Sequence, residues 1–360
     1  MMLEEIMRER SVVICCGAGG VGKTTTAAAL ALGAAERGRR ACVVTIDPAR
    51  RLADALGLEE LGNLPTKVDG PWPGELWALM LDTKGTFDDL IRRYAATPNQ
   101  AARILQNRVY KNISAAMSGT QEYMAAEKLL ELHSDGNFDI VVVDTPPSRN
   151  ALEFLDAPGR LTRLLENRFF RLLVTPARGY MRALSIGLRA FLRTVASVVG
   201  TDVVEDTVAF FQAFGGMEEG FRRRASQVQA LLADPATCFV LVTAPRRNEL
   251  VEGRWFVDRL NQMGLKVEAV VINRSHPRFL PPGSPLLARR AQLPAELAPL
   301  LDNLAELEMM AAQEDAIVAE ILREASYLVA KVPMFESDIH DLEGVAAVAV
   351  ALSKPEIEGA

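Results

Sequence analysis

Eight residues near the N-terminus, Gly17-Ala18-Gly19-Gly20-Val21-Gly22-Lys23-Thr24, fit the pattern G-x-x-x-x-G-K-[ST], whose chemistry is the binding of a phosphate chain. Glycines let successive backbone N–H groups turn toward one point, and a helix opening at the same place adds its partial positive charge. In such a loop the Lys23 ammonium reaches the β- and γ-phosphates of a nucleoside triphosphate and the Thr24 hydroxyl binds Mg2+. The same letters also contain Gly17-x-Gly19-x-x-Gly22, the dinucleotide fingerprint, with Asp47 ending the next strand. A dinucleotide site has no use for Lys23 and Thr24 directly after the third glycine, nor for a second acidic strand end at Val141-Val142-Val143-Asp144. The phosphate loop is therefore the better reading.

Two carboxylates complete the chemistry. Asp144 follows three valines and precedes Thr145-Pro146-Pro147, so it emerges at the carboxyl end of a central strand, where it can orient Mg2+ through a bound water. Asp47 precedes Pro48-Ala49 at the end of the strand after the loop's helix, and a carboxylate there can hold and polarise an attacking water. The letters Thr66-Lys67-Val68-Asp69 mimic a guanine signature, but they precede Asp144 and lie in a proline-flanked surface stretch, so they are a chance match.

The elements that must carry these groups are legible as short β-branched runs at 12–16, 41–46, 140–143, 238–242 and 267–272, alternating with helical stretches. Strands this apolar are buried on both faces, as in a parallel sheet covered by helices. The expected fold is α/β, a doubly wound and mostly parallel sheet. Two tracts, 84–133 and 151–233, read as helix and are expected to form an inserted helical subdomain within a single domain spanning 1–360. Residues 276–285 are proline-rich and read as an exposed loop.

With 360 residues, about half of them apolar, the chain can bury a large core, and a formal charge of -6 (40 basic against 46 acidic side chains) gives no general attraction to nucleic acid. Glu4, Glu5 and Glu9 are the wrong charge for a secretory leader, and no apolar run reaches the 18 to 20 residues of a membrane span. A cytoplasmic location is expected. Cys15, Cys16, Cys42 and Cys238 all sit in β-rich apolar runs, and His133, His276 and His340 lack ligand spacing, so no zinc or arsenite site is expected.

In their order these motifs resemble the ATPase family of the arsenite pump and the guided-entry targeting factor for tail-anchored proteins, a group of P-loop proteins with a deviant Walker A motif. The resemblance rests on Gly17 to Thr25, Asp47-Pro48-Ala49, Asp144-Thr145-Pro146-Pro147, Val271-Ile272-Asn273-Arg274 and Val332-Pro333-Met334-Phe335. It implies ATP as ligand, with Thr25 in the cradle, Asn273 against adenine, and Pro333 and Phe335 in a loop closing over the base. It also implies a dimer, since the chain holds one P-loop where the bacterial arsenite-pump ATPase joins two halves.

Three departures bear on mechanism. Ala18 stands where the family's motif K-G-G-V-G-K-T has its signature lysine, which reaches across the dimer to the partner's nucleotide. Arg50-Arg51 replace the targeting factor's His-Asn, and its zinc-bridging Cys-x-x-Cys and the pump's metalloid cysteines are absent. Two alternatives stay open: a heterodimer with a homologous ATPase that keeps the lysine, or a homodimer in which Arg50, Arg51 or Arg149 substitutes.

From Met181 the residues Met181, Leu184, Leu188, Phe191, Leu192, Val195 and Val198 recur at helical spacing, with Arg182, Arg189 and Arg193 on another face. That stripe is either buried in its own subdomain, or a groove for an apolar client helix, or part of a basic face for anionic lipid, which would give peripheral membrane association. The leading function is a Mg-ATP-hydrolysing switch that handles a membrane or envelope protein client. Alternatives are a partitioning-type positioning ATPase, whose usual membrane helix or basic patch is missing from residues 353–360, and an arsenite-pump-like transport subunit.

Overall fold

The computed structural model describes residues 3–47, 49–116, 120–146, 148–167, 200–281, 284–292, 294–322 and 327–354. Contacts divide the chain into two units, one built from residues up to Met80, Asp135–Ala151 and Pro235 onward, the other from Leu81–Ser134 and Leu152–Asp234.

The first unit is an eight-stranded sheet. Its strands are β1 (Val12–Cys16), β2 (Arg40–Thr45), β3 (Thr66–Val68), β4 (Glu75–Met80), β5 (Ile140–Asp144), β6 (Thr237–Thr243), β7 (Val267–Ser275) and β8 (Leu328–Pro333), in the order β3-β4-β2-β5-β1-β6-β7-β8. Every pairing is parallel except β3 with β4. β1, β5 and β6 are buried along their whole length, which explains their unbroken apolar runs. β5 inserts between β1 and β2, so the chain leaving β1 must cross over to β2, and this switch in strand order opens a crevice at the carboxyl ends.

Helix α2 (Lys23–Glu36) makes that crossover. Its run of alanines keeps the helix thin enough to be buried on nearly every side, against the sheet and against α13 (Leu342–Ser353). α13 starts at the Asp341 N-cap, whose carboxylate accepts the Gly344 N–H at 2.8 Å. Sequence reading passed over α1 (Leu3–Glu9), which buries Leu3, Ile6 and Met7. It also took 66–69 for surface chain, whereas Thr66–Val68 form an antiparallel edge strand that buries Val68. α3 (Arg51–Ala55) follows β2.

The second unit is helical: α4 (Thr83–Tyr94), α5 (Pro98–Gln106), α6 (Arg108–Ala116), α7 (Thr120–Ser134), most of α8 (Ser148–Glu166), α9 (Thr201–Phe214) and α10 (Glu218–Leu232). α7 runs through its middle, buried without a break from Glu122 to Leu130. Glu127 is buried there and paired: the Tyr123 hydroxyl donates to it at 2.7 Å and the Arg224 guanidinium at 2.8 Å, which fixes α10 on α7. Tyr94, Phe214 and Phe221 pack ring to ring beside them. The apolar stripe at 181–198 lies outside the described residues. Among the described residues no helix is long and apolar enough to cross a membrane.

In the first unit α11 (Arg247–Gln262) joins β6 to β7, and α12 (Ala298–Leu322) precedes β8. The proline-rich stretch after β7 is held down at its start. Glu314 accepts the His276 N–H at 2.8 Å, Glu308 accepts the Phe279 and Leu280 N–H groups at 2.7 and 3.0 Å, and Arg278 pairs with Asp315 at 2.8 Å. Two acids of α12, Glu314 and Glu308, thus satisfy backbone donors of residues 276–280, and a third, Asp315, holds the Arg278 side chain.

Candidate nucleotide site

The loop between β1 and α2 has the backbone its glycines allow. Gly17 and Gly22 have φ of 147° and 94°, in the region that favours glycine. A Cβ at Gly17 would strike the Val242 carbonyl oxygen, so the backbone itself leaves no room there, and one at Gly22 would displace the Asn273 side chain from the loop. Gly19 and Gly20 are exposed and Val21 is buried, which anchors the loop beneath its open rim. Thr25 is half-buried in the first turn of α2.

Lys23 bends back over the loop, and its ammonium donates to the Ala18 carbonyl at 2.8 Å. Burial lowers its pKa, opposed by the nearby Asp144 and Asp47 carboxylates. The Ala18 methyl packs against the core of the unit.

At the end of β5, Asp144 is only 2% exposed. Its Oδ2 accepts the Thr24 hydroxyl at 2.7 Å and the Thr45 hydroxyl at 2.9 Å. Burial raises its pKa, while those two hydrogen bonds and the Lys23 charge pull it down. Oδ1 is buried with no hydrogen-bond partner. A buried carboxylate oxygen left open beside the Thr24 hydroxyl fits a divalent cation or a water bound to one. Among the described residues no three His, Cys, Asp or Glu side chains cluster for a metal. A cation carried by phosphate oxygens, a hydroxyl and one carboxylate does not need such a cluster.

Thr45 connects the two acids. Its oxygen donates to Asp144 and accepts the Asp47 N–H at 3.2 Å. The Asp47 carboxylate closes a turn by accepting the Ala49 N–H at 2.9 Å and lies 3.7 Å from the Arg51 guanidinium. Of the arginines proposed as lysine substitutes, Arg50 donates to the Glu59 carbonyl and Arg51 faces Asp47, while the Arg149 side chain lies outside the described residues.

On the other flank, β7 brings Asn273 to the loop, where its amide donates to the Val21 carbonyl at 2.9 Å and its oxygen accepts the Arg274 N–H at 3.0 Å. Pro333 ends β8 opposite Ser275, and the half-buried Phe335 rests against the core. The structure therefore gathers Gly17 to Thr24, Asp144 and Asn273 directly and Asp47 through Thr45, with Pro333 and Phe335 one strand farther along the same edge. Thr45 was passed over in the sequence, and Thr145 and Arg274 stood there only as parts of motifs, with no role of their own. Thr145 donates to the Cys15 carbonyl at 2.7 Å, tying the end of β5 to β1. A polar residue ending an otherwise apolar strand was the available signal for Thr45. All four cysteines are buried, and burial pushes the Cys16 thiol up to about 12 and Cys15 well above its ordinary value, which keeps both protonated.

Residues 10–279 match the family model described as "Anion-transporting ATPase". Among curated proteins, the chain is 27% identical to an "ATPase GET3" of Malassezia globosa over 285 residues, 78% of each chain. It is 24% identical to an "ATPase ASNA1 homolog" of Cryptosporidium parvum, covering 74% of this chain and 66% of that one. It is also 24% identical to a "Putative arsenical pump-driving ATPase 1" of Aquifex aeolicus, covering 74% and 63%. A match over most of the chain, on a sheet whose strand order opens its crevice at a phosphate-binding loop, settles the assignment: the chain belongs to the anion-transporting ATPase family and is an ATPase.

Proposed function

We propose that the chain is a Mg-ATP-dependent switch that works as a dimer and whose nucleotide state governs the binding of a protein client, as the resemblance to the guided-entry factor implies. The observation that carries the switch is the chain of contacts from Thr24 through Asp144 and Thr45 to the Asp47 backbone. Gly19 to Thr25 hold the triphosphate, and Lys23 exchanges the Ala18 carbonyl for phosphate oxygens, which favours its charged form. Thr24 and Asp144 would hold Mg2+, which neutralises charge on the phosphate oxygens when bound. Asp47, released from its turn, orients the attacking water. Any shift of the Thr24–Asp144 pair on nucleotide binding moves Thr45 and with it the segment that carries Asp47.

The arsenical-pump reading is weaker, because the four thiols are buried and offer no soft ligand at a surface. The client reading is tested by measuring the mass of the purified chain, and its cross-linking to an apolar helical peptide, with ATP, with ADP and without nucleotide. ATP-dependent dimer formation together with nucleotide-dependent cross-linking is expected. The same mass and the same cross-linking in all three states would defeat it.

Base selection rests on Asn273 with the stretch of Pro333 and Phe335. Asn273→Ala is expected to weaken ATP binding and narrow the ATP to GTP preference by roughly tenfold, the value of about one hydrogen bond. Calorimetry with both nucleotides checks this, and an unchanged ratio would remove Asn273 from adenine recognition.

A further inference from the structure

Among the described residues Arg274 is the one non-glycine with a left-handed backbone, φ 60°. A residue with a Cβ is disfavoured there, so surrounding structure must hold it. The pairing of β7 with β8 is irregular between Ile272 and Ser275, and such a bulge re-aims the side chains on it. Here it turns two consecutive side chains onto two consecutive carbonyls of the phosphate loop. Asn273 Nδ2 donates to the Val21 carbonyl at 2.9 Å, and Arg274 Nη1 donates to the Gly20 carbonyl at 3.3 Å. The Arg274 N–H closes the pair by donating to Asn273 Oδ1 at 3.0 Å.

We infer that Arg274 is a positioning residue of the phosphate loop, holding the Gly20–Val21 peptide so that the Val21 N–H faces the triphosphate. This rests on the reading that Gly17 to Thr24 bind the phosphates. In a trans peptide the C=O and N–H point in opposite directions, and no described peptide here is cis. Fixing the Gly20 and Val21 carbonyls on β7 therefore sends the Val21 and Gly22 N–H groups to the opposite face of the loop. Gly20 needs the restraint most. It is exposed, has φ 78° and has open space where a Cβ would stand, so its own sterics do not prevent the peptide from turning over. Arg274 supplies from β7, two strands away from β1, the rigidity that the glycine lacks.

The left-handed backbone makes the test clean. Arg274→Gly relieves the disfavoured conformation while removing the guanidinium, and Arg274→Asn keeps a residue that tolerates φ above zero but is too short to reach Gly20. In the nucleotide-free chain, hydrogen exchange at residues 18–22 is expected to quicken several-fold in both variants, with the melting temperature of Arg274→Gly equal to or above that of the parent. Calorimetry is expected to show ATP bound roughly tenfold more weakly by both. In turnover the loss falls chiefly on KM. Parental exchange rates and ATP affinity in both variants would overturn the role, as would a loss confined to kcat. If Lys23→Ala still binds ATP normally, the phosphate-loop reading fails, while the exchange result in free protein still reports on the Arg274 contact.

Discussion

Asp47→Asn is expected to slow ATP turnover by on the order of 10² to 10⁴-fold, the usual contribution of a positioned general base, while leaving ATP affinity within a few-fold of the parent. The asparagine keeps an oxygen able to accept the Ala49 N–H, so the turn after β2 survives. What is lost is the negative charge that orients and polarises water. Lys23→Ala is expected to act one step earlier and abolish binding. Its ammonium is the buried cation of the loop, and without it the loop keeps backbone dipoles and the Thr24 hydroxyl but loses its charged donor to the triphosphate. Binding by calorimetry and single-turnover hydrolysis at saturating ATP separate the two effects. If both substitutions reduce ATP affinity equally, Asp47 belongs to binding and not to catalysis.

The second large effect concerns what the loop lacks. Purified alone, the chain is expected to hydrolyse ATP slowly, and Ala18→Lys is expected to raise the rate by on the order of 10²-fold, as restoring one charged group at a developing phosphate charge does. Lys23 is held by the backbone carbonyl of Ala18 and not by its methyl, which packs against the core, so a longer side chain that turns outward leaves the Lys23 contact in place. The resemblance places the missing lysine at the partner's nucleotide. A homodimer of the parent chain lacks it in both sites, whereas a mixed dimer regains it in one. Full activity of the parent as a homodimer, unchanged by Ala18→Lys, would end the mixed-dimer proposal. The contacts of Arg50 with Glu59 and of Arg51 with Asp47 occupy two of the arginines that a self-sufficient homodimer would need to redirect.

The strands that reach the nucleotide crevice were legible because they are buried on both faces and therefore apolar throughout. β3, β4 and β8 were not, since an edge strand three residues long carries Lys67 outward and β4 and β8 are each only partly buried, which breaks the apolar run. The phosphate loop, Asp144 and Asp47 could be found because a strand ending in a charged or glycine-rich turn breaks an apolar run. The roles of Thr45 and Arg274 could not be read, beyond the polar end of an apolar strand that marks Thr45, because those roles come from partners distant in the chain. Thr45 meets Asp144 across 99 residues and Arg274 meets Gly20 across 254. The clasp of residues 276–280 by Glu308, Glu314 and Asp315 was hidden for the same reason, and a proline-rich composition pointed instead to free loop.

The packing of α2 against α13 has a consequence for how the protein is made. The helix that carries Lys23 and Thr24 leaves the ribosome among the first elements, but the helix that covers it begins only at Leu342, about 300 residues later. At typical synthesis rates that gap is roughly 15 to 60 s. For that time one flank of an Ala- and Leu-rich helix has no native neighbour, and the nascent chain cannot complete the unit that holds its nucleotide loop. A message truncated before Leu342 would yield a product with every residue proposed above to contact nucleotide and no cover for the helix that carries Lys23 and Thr24, a form that quality-control proteases would meet as unfinished.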